Sequence, residues 1–132
     1  MNHYVVGKGN QQVKLTVDIS TNGFAWTRGF TIMEDGRKFP IAKCVSDATG
    51  DVRQMPVGQA RVLQGNYIHV VTKIELFWED IETRKIEFEK ITSRYTFDNG
   101  EDGHKEFTVP DQEINANGDF TVVYLLITVK QD

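Results

Sequence analysis

Apolar and polar residues alternate with a period of two in short runs along this chain, and glycine, asparagine and aspartate break the runs. No segment sustains the apolar period of an amphipathic helix, so the pattern predicts an all-β chain. The breaks at Asn22-Gly23, Asp35-Gly36, Gly65-Asn66, Asn99-Gly100, Asp102-Gly103 and Asn117-Gly118 each supply a residue that adopts positive φ at little cost. Hairpins are expected there.

The clearest strand places Val13, Leu15, Val17 and Ile19 on one face and Lys14, Thr16, Asp18 and Ser20 on the other. From Phe24 to Met33 the residues Phe24, Trp26, Phe30 and Ile32 share one parity, which is expected to face the core, against Ala25, Thr27, Gly29 and Thr31. Phe39 to Val45 reads as an edge strand, because Pro40 lacks the N–H that a central strand needs. Ser46 to Gly58 holds Gly50, Pro56 and Gly58 with little alternation, and is expected to be a long connection between sheets.

Tyr67 to Trp78 is the longest alternating run, with Ile68, Val70, Ile74, Leu76 and Trp78 inward and Tyr67, His69, Lys73 and Glu75 outward. Lys85 to Phe97 is expected to pair with it as a hairpin, setting Ile74 near Phe88, Leu76 near Ile86 and Lys73 beside Glu89. A parity switch near Lys90 predicts a β-bulge. Phe120 to Lys130 differs from the other runs because Phe120, Val122, Tyr124 and Leu126 on one parity and Val123, Leu125, Ile127 and Val129 on the other are all apolar or aromatic. A strand apolar on both faces needs a second cover, from within the fold or from a partner.

About eight such strands predict a two-sheet antiparallel β-sandwich of Ig-like or jelly-roll-like form, with a closed antiparallel barrel as the alternative. Neither repeats nor a composition shift divide the chain, so residues 1–132 read as a single domain.

Composition narrows the classes. With 39% hydrophobic and 26% charged residues the chain is expected to be globular and soluble, and no apolar run approaches a spanning helix. A formal charge of −4 with interspersed signs disfavours nucleic acid as a partner. The lone Cys44 excludes an intrachain disulfide and is expected in the core. A single cysteine slightly favours the cytoplasm; secretion would follow if a leader had been removed.

Candidate chemistry is sparse. His3, His69 and His104 do not stand at spacings that define a zinc site, and the sequence holds no nucleophile elbow, phosphate loop or dinucleotide glycine pattern. A non-enzymatic protein that needs no cofactor is therefore expected. Asp98, Glu101 and Asp102, on a glycine-containing turn, are weak candidates for a calcium site in a C2-like sandwich, although Val109 stands where a calcium loop needs its bidentate glutamate. Trp26, Trp78, Tyr67 and Phe77 are the candidates for a carbohydrate- or small-ligand-binding surface, since indole, phenol and phenyl rings stack on the apolar faces of sugars. The leading expectation is an interaction or assembly domain, self-associating or binding another protein through Val123, Leu125, Ile127 and Val129.

Overall fold

The computed structural model describes residues 2–44, 46–108, 111–114 (backbone only) and 119–130. In chain order the elements are β1 (Asn2–Val5), β2 (Gln12–Ser20), β3 (Phe24–Ile32), β4 (Lys38–Lys43), β5 (Val52–Gln59), α1 (Ala60–Leu63), β6 (Tyr67–Glu75), α2 (Ile81–Glu89), β7 (Thr92–Gly100), β8 (Gly103–Phe107), β9 (Asp111–Ile114) and β10 (Phe120–Lys130). The strands form two sheets. One runs β1-β10-β6-β3-β4, with β9 also paired to β10, and the other runs β5-β2-β7-β8. The pairing is antiparallel except for β1 against β10, and neither sheet closes on itself, so the fold is a β-sandwich and not a barrel.

The core is the layer between the sheets. Val13, Leu15 and Val17 of β2 face Ile68, Val70 and Ile74 of β6 and Val123, Leu125, Ile127 and Val129 of β10 in one buried cluster. This corrects the expectation of a contact surface at Val123, Leu125, Ile127 and Val129. β10 is an interior strand, flanked by β6 on one edge and by β9 and β1 on the other, so this parity is covered by the opposing sheet.

Four other expectations are corrected. The parity of β3 is reversed: Ala25, Thr27 and Gly29 point inward, and Phe24, Trp26 and Arg28 point out. Space decides this. A Cβ on Gly50, whose φ is +76°, would lie 2.9 Å from the Ala25 side chain and 3.2 Å from Thr27 Oγ1, so the turn before β5 presses on β3 where only small side chains fit. The buried Thr27 and Thr72 hydroxyls then satisfy each other at 2.7 Å, and the Thr27 amide donates to Cys44 Sγ, which is buried as expected.

Part of the expected long connection, Val52–Gln59, is the edge strand β5. Its register against β2 shifts twice and Gln54 takes φ +44°, which hides the alternation. The expected hairpin from β6 to Lys85–Phe97 does not form either. Ile81–Glu89 is a helix, and β7 crosses to the other sheet to pair with β2, while Ile74 and Lys73 pair with β3 and β10. Asp80 caps the helix by accepting from the Thr83 amide, and the supposed bulge at Lys90 is the helix end.

β1 is fastened to the β7–β8 hairpin by Tyr4, whose buried ring lies 5.4 Å from Phe97. The Tyr4 hydroxyl donates to the Gly103 carbonyl and accepts from the Gly100 amide. Only glycine fits at position 100, since a Cβ there would lie 2.5 Å from the Tyr4 ring.

Candidate ligand-binding face

The two outer faces of the sandwich differ in kind. On the four-stranded sheet, Lys14, Thr16, Asp18, Arg94, Asp98, His104 and Glu106 line a polar cleft of about 610 Å³. Five of its charged side chains pair with one another: Arg94 pairs with Asp18 at 3.3 Å, and His104 pairs through Nδ1 with Asp98 at 2.8 Å and through Nε2 with Glu106 at 3.4 Å. The hydrogen bond to Asp98, aided by Glu106, raises the His104 pKa above its usual 6.5. An imidazole whose two nitrogens are both engaged by carboxylates has no free nitrogen to act as a general base.

The outer face of the six-stranded sheet is aromatic and cationic. Its register sets residues in rows across β3, β6 and β10: Phe24–Glu75–Phe120, then Trp26–Lys73–Val122, Arg28–Val71–Tyr124, Phe30–His69–Leu126 and Ile32–Tyr67–Thr128. Trp26, Arg28, Phe30, Lys38, Val71, Lys73, Glu75 and Phe120 enclose an open trough of about 630 Å³. Lys73 Nζ stands 4.3 Å from the Phe120 ring centre and Lys38 Nζ 4.1 Å from that of Phe30. A smaller hollow of about 270 Å³, between His69, Val71, Val122 and Tyr124, continues the trough through Val71. Partial burial, and then the nearby Lys38, push the His69 pKa below 6.5.

At one end of the trough the rings form a continuous series. Trp78 stacks on Phe77 at 4.3 Å, Phe77 on Phe24 at 4.8 Å, and Phe24 meets Trp26 at 6.5 Å. Trp78 is partly buried against the core and anchors the series, whereas Phe24, Trp26 and Phe77 stay 46, 44 and 46% exposed. Helix α2 holds the two chain segments that carry these rings. Arg84 Nε donates to the Trp78 carbonyl, and Asn22, in the turn leading to Phe24, donates to Glu87 Oε2 at 2.9 Å.

Of the sequence candidates, Trp26, Phe77 and Trp78 are therefore brought together, and Phe77 is exposed as its parity implied. Tyr67 shares the face but lies in its far row, about 20 Å along β6 from Lys73. Asp98, Glu101 and Asp102 do not converge. Asp98 binds His104, Asp102 Oδ2 accepts from the Val5 amide at 2.9 Å, and Glu101 packs beside Gly7. Among the described residues no group of three or more His, Cys, Asp or Glu side chains could hold a metal ion.

Sequence reading missed Phe24, Arg28, Lys38 and Phe120. Arg28 carried a signal, because an arginine on the parity of Phe24, Trp26 and Phe30 argues against that parity being core.

The fold and its outer face define an antiparallel β-sandwich with one polar face and one aromatic, cationic face. In comparisons with known proteins the chain matches no family model, no curated protein and no solved structure. No helix among the described residues is long and apolar enough to cross a membrane.

Proposed function

We propose that this protein is a non-enzymatic binding module that recognises a saccharide on the outer face of its six-stranded sheet. The observation that carries this reading is the exposed series Phe24, Trp26 and Phe77, which opens onto the trough and is backed by Trp78. Each of the three rings leaves roughly 100 Å² of largely apolar surface in water, and covering it contributes about 2 kcal/mol. A pyranose ring offers a matching C–H face, while its hydroxyls find donors in Arg28 and Lys73 and an acceptor in Glu75.

Quenching of tryptophan fluorescence by a panel of oligosaccharides tests the reading. Binding is expected in the native protein and at least tenfold weaker in Trp26→Ala and Phe77→Ala, with unchanged melting temperature. Full affinity in both variants would remove the platform.

A second reading, assembly of copies of this chain or docking of another protein, is favoured by a different part of the same face. Val71, Val122, Tyr124 and Leu126 form a half-buried apolar strip across β6 and β10. Light scattering across a dilution series separates the two. A dimer that Leu126→Lys dissociates supports assembly, and a monomer at high concentration removes self-association.

A further inference from the structure

We infer that the ligand of this face is anionic, an acidic saccharide bearing carboxylate or sulfate groups; this rests on the platform reading above. Among the described residues, Arg28, Lys38 and Lys73 line one trough with Glu75 as its carboxylate, and Lys43 sits opposite Arg28 on the edge strand. None of these four cations forms an ion pair among the described residues. Elsewhere four cations are paired with acids among the described residues, Arg37 with Asp35, Lys90 with Glu87, Arg94 with Asp18 and Lys105 with Asp102. Three cations to one acid among the described lining residues is the reverse of the chain's overall balance, 19 Asp and Glu against 15 Lys and Arg.

The Lys38 and Lys73 ammonium groups stand over the Phe30 and Phe120 rings, and neither forms an ion pair among the described residues. A ring face attracts an ammonium group without satisfying its three N–H donors, so each lysine is held in place and still able to bind an oxyanion. The positions of Lys73, Arg28 and the ring beneath Lys38 occupy three successive rows, about 14 Å along the strands. That spacing suits a linear chain with repeated charges better than one isolated anion. Single-stranded nucleic acid offers the same charge and stacking, but a chain of net charge −4 with so few cations in the trough lacks the electrostatic reach that such binding requires.

The test is calorimetric titration of the whole chain with hexasaccharide pairs that differ only in charge: hexagalacturonate against its methyl ester, and a sulfated galactan hexamer against its desulfated form. The expected result is at least tenfold tighter binding of one acidic member, narrowing as salt rises from 50 to 300 mM. Arg28→Gln, Lys38→Gln and Lys73→Gln are each expected to weaken the acidic ligand three- to tenfold, more than they weaken its neutral partner, with the melting temperature unchanged. Equal affinity for charged and neutral forms would overturn the charge inference and leave the aromatic platform standing. No binding by any member would remove both, and tighter binding of a ten-residue oligothymidylate than of every acidic saccharide would overturn the ligand class.

Discussion

Leu125 and Ile127, 2 and 0% exposed, differ from their neighbour Leu126 only in parity, and that difference decides what a charge does at each position. Lysine at 125 or 127 places an unpaired ammonium in the inter-sheet core, costing several kcal/mol, comparable with the whole stability of a small domain. Leu125→Lys and Ile127→Lys are therefore expected to unfold the protein, whereas Leu126→Lys keeps a cooperative melt; circular dichroism in urea reads the difference, and folded Leu125→Lys protein would contradict the core assignment. Gly50→Ala combines a disfavoured φ with contacts to Ala25 and Thr27, and is expected to destabilise by about 1–3 kcal/mol. A melt within error of the native one would mean that β3 is not confined from that side.

The histidines differ in the same residue-by-residue way. His104 has a raised pKa, so its pairing with Asp98 and Glu106 stabilises the fold fully below pH 6.5 and ceases to do so as pH rises through the folded value. His69 has a lowered pKa, so its contribution is present above pH 6.5 and lost as pH falls through the folded value. NMR titration of the imidazole carbons is expected to give a higher midpoint for His104 than for His69, and Asp98→Asn to bring His104 back towards 6.5. The reverse order would contradict both environments.

Among the elements, β2 and β6 were legible because each keeps a single strict alternation with one wet face. β5 was not, since its valines Val52 and Val57 are both buried although they stand on opposite parities, a consequence of the bulges between them. Helix α2 gave no helical period because it is weakly amphipathic, with Ile81 and Ile86 facing water. What marks it is local chemistry, the Asp80 cap followed by glutamate, arginine and lysine, which favour helix.

That helix matters for the site because its contacts hold Trp78 and the Asn22 turn together. Glu87→Ala removes the acceptor of Asn22 and is expected to shift tryptophan emission to the red and weaken saccharide binding several-fold while the melt stays cooperative. An unchanged spectrum and affinity would show that the rings hold their places without α2. The Asn22 hydrogen bond, aided by Lys90, also keeps the Glu87 carboxyl pKa below its usual 4.5, so the clamp persists above that pH and is lost as pH falls through the lowered value.

For the molecule as a whole, alternation was enough to establish a two-sheet sandwich, but not which strand joins which sheet. Runs such as β6 and β7 look like a hairpin in sequence, yet α2 carries the chain across the sandwich between them. The site was legible only in part for the same reason. Trp26, Phe77 and Trp78 stood out as aromatic residues, but their convergence with Phe24, Phe120 and the lysines depends on cross-strand register and on the reversed parity of β3. The second apolar parity of β10 did mark a real surface, with the assignment inverted: Val123, Leu125, Ile127 and Val129 are core, and Val122, Tyr124 and Leu126 lie on the outer face.

The most direct test of that face is a two-dimensional amide and indole NMR titration with whichever acidic hexasaccharide binds most tightly. Shifts are expected at the Trp26 indole and at Arg28, Val71, Lys73 and Phe120, with the polar cleft around Asp18, Arg94 and His104 unmoved. Shifts confined to that polar cleft, or no shifts at all, would contradict the assignment of the outer face of the six-stranded sheet as the binding surface.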